Sequence, residues 1–175
     1  MSSILARLHG ADLGRCLVAA AAHDHAKGMG RDELHAVIDS EGIPVDPEDF
    51  GHVSTLHGPV GAWLARTRFG IDDAEVLEAI EFHSTGRDNP SATLQVLMSA
   101  DYTEPTRTLA AGSILRAEVR RDLAGGLTAV LNDKISYLRS RGKPVHGRTL
   151  RALGSLTPGA AGTHIPAATS AGNIS

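Results

Sequence analysis

The sequence holds one cysteine, Cys16, in 175 residues. An internal disulfide is therefore excluded, and a reducing compartment fits. Aromatic residues make up 3% of the chain. Alternating apolar and polar residues are scarce, so a sheet architecture has little to build on. No apolar run approaches the roughly 20 residues that cross a bilayer, and no secretory leader is visible. Neither sign of charge dominates: 17 Lys and Arg face 20 Asp and Glu, for a net charge of −3. That balance excludes a general nucleic-acid binder or a membrane-surface protein. The expectation is a cytoplasmic helical domain.

What is present is enough for a core. Apolar residues are 42% of the chain, and the length suits one domain. The domain is expected over residues 1–153. From Gly154 to Ser175 the composition is Gly, Pro, Ala, Ser and Thr with hardly any large apolar residue, which predicts a disordered tail. Nine histidines are many for this length. Several stand where apolar residues belong.

Apolar spacing predicts helices over 3–9 and from Asp12, as cap, to about Lys27. A short helix follows, capped by Asp32 and ended by Glu41-Gly42. Residues 42–55 read as loop. His57-Gly58-Pro59 opens the next helix, closed by Gly70. Asp72 or Asp73 caps another, ending near Ser84-Thr85-Gly86-Arg87. Asn89-Pro90 starts the helix that carries Leu94, Leu97 and Met98. A turn around Pro105 leads to a long helix over 112–141, with a kink at Gly125-Gly126. Residues 148–153 form a last short piece.

Within this scaffold one stretch stands out, Ala19 to Lys27. A run of small residues, suited to close packing, ends in adjacent His23 and Asp24. Neutral imidazole and carboxylate together bind first-row transition metals. On a regular helix Lys27 shares a face with His23 and would meet an anion held there. His57 falls at a helix N-terminus, where backbone N–H groups attract anions. Val76, Ile80 and His83 run at i, i+4 and i+7, so His83 continues an apolar face. Leu94, Leu97, Met98 and Asp101 do the same, and a carboxylate on a core stripe needs a cation or strong donors. Adjacent residues diverge by about 100° on a helix, so Asp24 suits a bridging role, one oxygen to each of two metals. Each residue alone has a plainer reading: His83 as a core histidine, Asp101 bonded to backbone or arginine, His57 as a cap neighbour, Lys27 and Arg87 as solvated groups. Their concurrence favours a metal site.

Five segments in order carry a resemblance: His23-Asp24-His25-Ala26-Lys27, Leu56 to Ala62, His83 to Arg87, Ala100 to Arg107, and Arg141 to His146. The chain resembles the HD-domain metal phosphohydrolases and, within them, the YqeK-like symmetrical dinucleoside tetraphosphate hydrolases. The resemblance implies an all-α HD-domain helical bundle. It implies hydrolysis of diadenosine tetraphosphate to two ADP, by a water activated on one or two transition-metal ions, iron in particular. Carried over, His23, Asp24, His57, His83 and Asp101 are metal ligands. Lys27, Thr85, Arg87 and Arg107 hold phosphate, with Asp24, Lys27 and Arg87 closest to the chemistry. The expected partner is a nucleotide, with no nucleic acid and no membrane. Family members add a histidine from the helix before the His-Asp helix. This sequence shows none at the matching place, and His9 falls in the family's intervening loop. Two other functions share the pattern: another HD nucleotide phosphohydrolase, and a non-catalytic nucleotide-binding or regulatory HD protein.

Overall fold

The computed structural model describes residues 1–107 and 110–156. Among them every regular element is helical. The order is α1 (Ser2–His9), α2 (Leu13–Ala22), α3 (Arg31–Glu41), α4 (Pro47–Gly51), a single 3-10 turn (Val53–Thr55), α5 (His57–Phe69), α6 (Ala74–Phe82), α7 (Ala92–Tyr102), α8 (Gly112–Arg121), α9 (Leu123–Ser140) and α10 (Gly147–Leu156). None of these helices is long and apolar enough to cross a membrane. Residues 157–175, most of the expected tail, lie outside the described residues, and the start of that tail, 154–156, is the end of α10.

One apolar core joins α1, α2, α6, α7, α8 and α9 through residues such as Leu5, Cys16, Ile80, Leu94, Val119 and Leu131. A second, smaller cluster packs α3 on the outer face of α5 through Leu34, Ile38, Leu56, Val60 and Leu64. Each large apolar side chain fully buried in this way contributes about 1.5–3 kcal/mol. The alanines of α2 serve the packing: Ala19 and Ala22 are buried between neighbouring helices, and α2 contacts both α6 and α7.

Several boundaries differ from expectation. The second helix ends at Ala22, not Lys27. Beyond it, His25, Lys27 and Met29 donate their N–H groups to the carbonyls of Ala22, Asp24 and Ala26, three residues back. The chain has tightened toward three residues per turn, in which i and i+3 eclipse. The third helix is capped by Gly30, whose N–H reaches the Glu33 carboxylate at 3.4 Å; Asp32 instead sits in the first turn, against the positive helix end. The helix expected from Asn89-Pro90 starts at Ala92, with Ser91 accepting from Leu94 N–H at 3.2 Å. The long C-terminal helix is two helices, broken at Asp122, whose backbone is extended (φ −149°, ψ 121°). Gly126 is not a kink. A Cβ there would lie 2.4 Å from Val119 Cα, so the glycine lets α9 lie against α8.

The expected loop 42–55 holds the largest surprise. Asp46 caps α4, and Asp49 returns a bond to the Asp46 N–H at 3.1 Å, a capping box. The Asp49 carboxylate is fully buried. It accepts from Arg148 Nη2 at 2.6 Å, His146 Nε2 at 2.9 Å and Thr55 Oγ1 at 3.2 Å. This cluster ties α4 to the start of α10, about a hundred residues away in sequence. It gives His146 a structural role that the sequence did not reveal. Truncating one partner of such a buried ion pair costs about 3–5 kcal/mol. Asp49→Ala is expected to lose that much stability in chemical denaturation.

At the crossing of α5 and α6, Gly58 touches the backbone of Glu81. A Cβ on Gly58 would stand 2.3 Å from the Glu81 carbonyl oxygen. This close approach sets His57 beside His83. Gly58→Ala is expected to cost about 1–3 kcal/mol by overpacking, measurable as a lower melting temperature.

Candidate metal centre

Three histidines reach one point from three places: His23 after the last turn of α2, His57 at the start of α5, and His83 after the last turn of α6. Each uses Nδ1 in the same way. His23 Nδ1 lies 2.9 Å from Ala20 O, His57 Nδ1 2.8 Å from Ser54 O, and His83 Nδ1 2.8 Å from Ile80 O. A carbonyl oxygen only accepts, so each Nδ1 carries the proton and each Nε2 presents a bare lone pair.

Those lone pairs converge. His57 Nε2 and His83 Nε2 are 3.0 Å apart, and Ser84 Oγ, with a single proton to give, lies 3.1 Å from the latter and 3.3 Å from the former. Asp24 Oδ1 is 3.6 Å from both nitrogens. Asp24 Oδ2 faces the other way, 3.5 Å from His23 Nε2. His23 Nε2 and Asp24 Oδ1 are buried without any hydrogen-bond partner. Donor atoms of His23, Asp24 and His83 all lie within 4.8 Å of one another. Asp101 Oδ1 stands 3.9 Å from His23 Nε2.

The electrostatics keep this set ready for a cation. Burial, then the neighbouring His83, pushes the His57 imidazole down to about 4. The Asp24 carboxyl is held well below the usual carboxylate range, first by His83 whenever that ring carries a proton on Nε2, and by the Lys27 ammonium at 2.6 Å whichever tautomer His83 adopts. At neutral pH these two groups are therefore neutral imidazole and ionised carboxylate. Bare nitrogens and carboxylate oxygens facing one another, two of them orphaned, form a donor set that fits a transition-metal cation. His23, Asp24, His57, His83 and Asp101 are the residues that could hold it.

The other sequence candidates separate. Lys27 is at the site, but on Asp24 rather than His23: its Nζ donates to Asp24 Oδ2 at 2.6 Å, as the tightened turn after α2 requires. Arg107 donates to Asp101 Oδ1 at 2.6 Å, so the carboxylate on the core stripe has its cation. It is half-buried rather than enclosed. Thr85 is buried beside the site, its hydroxyl on Gly86 O at 3.1 Å. Arg87 is elsewhere. It is exposed, 3.7 Å from Glu78 Oε1, with its guanidinium over the Phe82 ring. Its helix ends before it and turns it outward. His9 bonds Val119 O at 2.7 Å, and His25 lies edge-on to Phe69, both apart from the metal centre.

One residue at the site was missed. Lys134 lines the same cavity of about 270 Å³ as His57, His83, Asp101 and Arg107. Its ammonium donates to Ser84 O, and burial pushes it down to about 8. The signal was available: Leu127, Leu131, Lys134 and Leu138 run at i, i+4, i+7 and i+11, the stripe logic that exposed Asp101. Tyr102, bonded to Asp133 Oδ2 at 2.8 Å, links α7 to α9 on the cavity's other wall.

The HD domain model matches residues 1–106, more than half of the chain. The chain belongs to the HD domain family. A protein of Halalkalibacterium halodurans, named "Bis(5'-nucleosyl)-tetraphosphatase, symmetrical", is 35% identical over 152 residues, spanning 87% of this chain and 81% of the relative. A Bacillus subtilis protein of the same name is 30% identical over 155 residues, 89% and 83% of the two lengths. The crystal structure of a "predicted HD superfamily hydrolase involved in NAD metabolism" from Clostridium acetobutylicum superposes with a TM-score of 0.84 at 33% identity, covering 89% of this chain and 82% of that one. The all-α HD architecture expected from the sequence is the one observed.

In the metal-reconstituted HD domain, Asp24→Ala is expected to lose bound transition metal, read by elemental analysis, with helical circular dichroism retained. Unchanged metal content would remove Asp24 from the ligand set.

Proposed function

We propose that this chain is a metal-dependent hydrolase that cleaves dinucleoside tetraphosphates symmetrically, turning diadenosine tetraphosphate into two ADP. One observation carries the reading: three bare histidine nitrogens and a two-faced carboxylate converge beneath a rim of Lys27, Arg107 and Lys134. Its support is the similarity, over most of the chain, to proteins named as symmetrical tetraphosphatases. The metal we assign is iron, one or two ions, and the compartment the cytoplasm.

A transition-metal cation at such a site polarises a phosphoryl oxygen and lowers the pKa of water. The chain's own groups do the rest. The lysines and arginine of the rim match the charge of a polyphosphate and stabilise what builds up on the phosphoryl oxygens. Asp24 and Asp101 each already hold one rim cation, at 2.6 Å in both cases. Lys27 and Arg107 are thereby oriented before substrate arrives. Water adds across the central P–O–P bridge: its hydroxyl ends on one phosphorus, its proton on the oxygen of the departing half, and both halves are ADP. Thr85 takes a place beside this centre, and Arg87 a structural one on Phe82.

The similarity to a hydrolase described as involved in NAD metabolism favours a second reading, hydrolysis of a different nucleotide by the same centre. One experiment tests both: metal content and product identity for the purified chain, with diadenosine tetraphosphate, ATP and NAD as substrates. The expected result is bound metal and ADP as sole product from the first. Metal with turnover of another nucleotide only would install the second reading, and metal without turnover would make this a non-catalytic binder. Asp101→Ala is expected to lower both metal content and activity. Arg107→Ala should keep its metal while kcat/KM falls by about tenfold or more, the worth of one charge-assisted bond.

A further inference from the structure

A second cleft, of about 490 Å³, shares three lining residues, Ser84, Lys134 and Leu138, with the cavity at the metal centre. The second cleft runs between residues 51–55, from the end of α4 through the 3-10 turn, and residues 143–149, at the start of α10. Its chemistry differs from the first. The cavity at the centre has an apolar wall built by Met98, Val130, Leu131 and Tyr137. The cleft is lined by Lys143, Lys134, His52 and the hydroxyl residues Ser54, Thr55 and Thr85. Among the described residues no carboxylate lines it. Two carboxylates stand behind its lining and are already engaged: Asp49 accepts from Arg148, His146 and Thr55, and Glu48 accepts from Gly147 N–H at 2.7 Å and lies 4.0 Å from His52 Nε2.

Lys143 is exposed and makes no ion pair among the described residues, so its three N–H donors are open to a ligand. Lys134 is half-buried and donates to the Ser84 carbonyl, and Asp101, on the side of the metal-centre cavity, is the carboxylate whose charge it feels.

The geometry of a symmetrical substrate asks for such a place. Its scissile bond is central, so the two halves must leave the metal centre in different directions. The first cavity, at about 270 Å³, falls below the roughly 300–1,000 Å³ of a pocket for one drug-sized ligand. It takes one nucleoside diphosphate at most.

We propose that the cleft between residues 51–55 and 143–149 binds the second nucleoside diphosphate of the substrate, with Lys134 at the waist between the two arms and Lys143 on the outer phosphate-bearing arm. This rests on the dinucleotide reading above. It makes the cleft the part of the protein that distinguishes a two-ended nucleotide from a one-ended one.

The test uses ADP, the chemical half of the substrate, on the metal-loaded full chain. Titration calorimetry of the wild type should give two ADP per chain. Lys143→Glu, at an exposed position, should weaken one of the two sites by about tenfold or more. It should also raise KM for diadenosine tetraphosphate, while Lys143→Arg restores both. A single ADP per chain in the wild type overturns the proposal. So does a Lys143→Glu protein with unchanged stoichiometry and KM. Failure of the wild type to cleave diadenosine tetraphosphate would instead strike the functional reading. The calorimetry would still decide whether the cleft is a nucleotide arm.

Discussion

Three hydrogen bonds, each from a histidine Nδ1 to the carbonyl three residues before it, organise this molecule's chemistry. They are made by His23, His57 and His83 on three separate helix ends. Each bond fixes one tautomer and one ring orientation. The carbonyls used are available because they lie at helix ends or in a 3-10 turn, where the helical ladder leaves acceptors free. The price is two nitrogen lone pairs held 3.0 Å apart, a repulsion that a cation turns into attraction. The fold must resist that repulsion when the cation is absent. It does so with the α5–α6 crossing, where Gly58 lies on the Glu81 carbonyl and backbone meets backbone.

Much of this was legible before the fold was known, because the relevant residues break a pattern. His83 and Asp101 stand on apolar stripes, and both sit at the candidate metal centre. The helices of the core were legible for the same reason: Leu94, Leu97 and Met98 repeat at helical spacing and are buried. What stayed hidden depends on contacts between distant segments or on local tightening. Residues 42–55 read as loop because Pro44, Pro47 and Gly51 dominate them. Asp49 is buried there only because Arg148 and His146 arrive from the far end of the chain. Lys27 was placed beside His23 on the assumption of 3.6 residues per turn. The i to i+3 bonding after Ala22 moved it onto Asp24. Arg87 adjoins a metal-site histidine in sequence, but the chain turns after His83 and carries it to Phe82.

The two ends of the described chain have unequal duties. Helices α2, α5, α6 and α7, all within the segment matched by the family model, supply the histidines and acids. The segment beyond supplies Lys134 on α9 and the tie between α10 and α4. Among the described residues beyond that segment none is a candidate metal-site donor, yet they shape the space around the site.

The Asp49 cluster has a consequence for how relatives of this chain can diverge. Its carboxylate, fully buried, answers Arg148, His146 and Thr55 together. A substitution at any one position strands the others, so drift through single steps is blocked. Lineages should keep the set intact or exchange it whole for apolar residues of like volume. Positions 49, 146 and 148 would then covary across descendants, although nearly a hundred residues separate them along the chain.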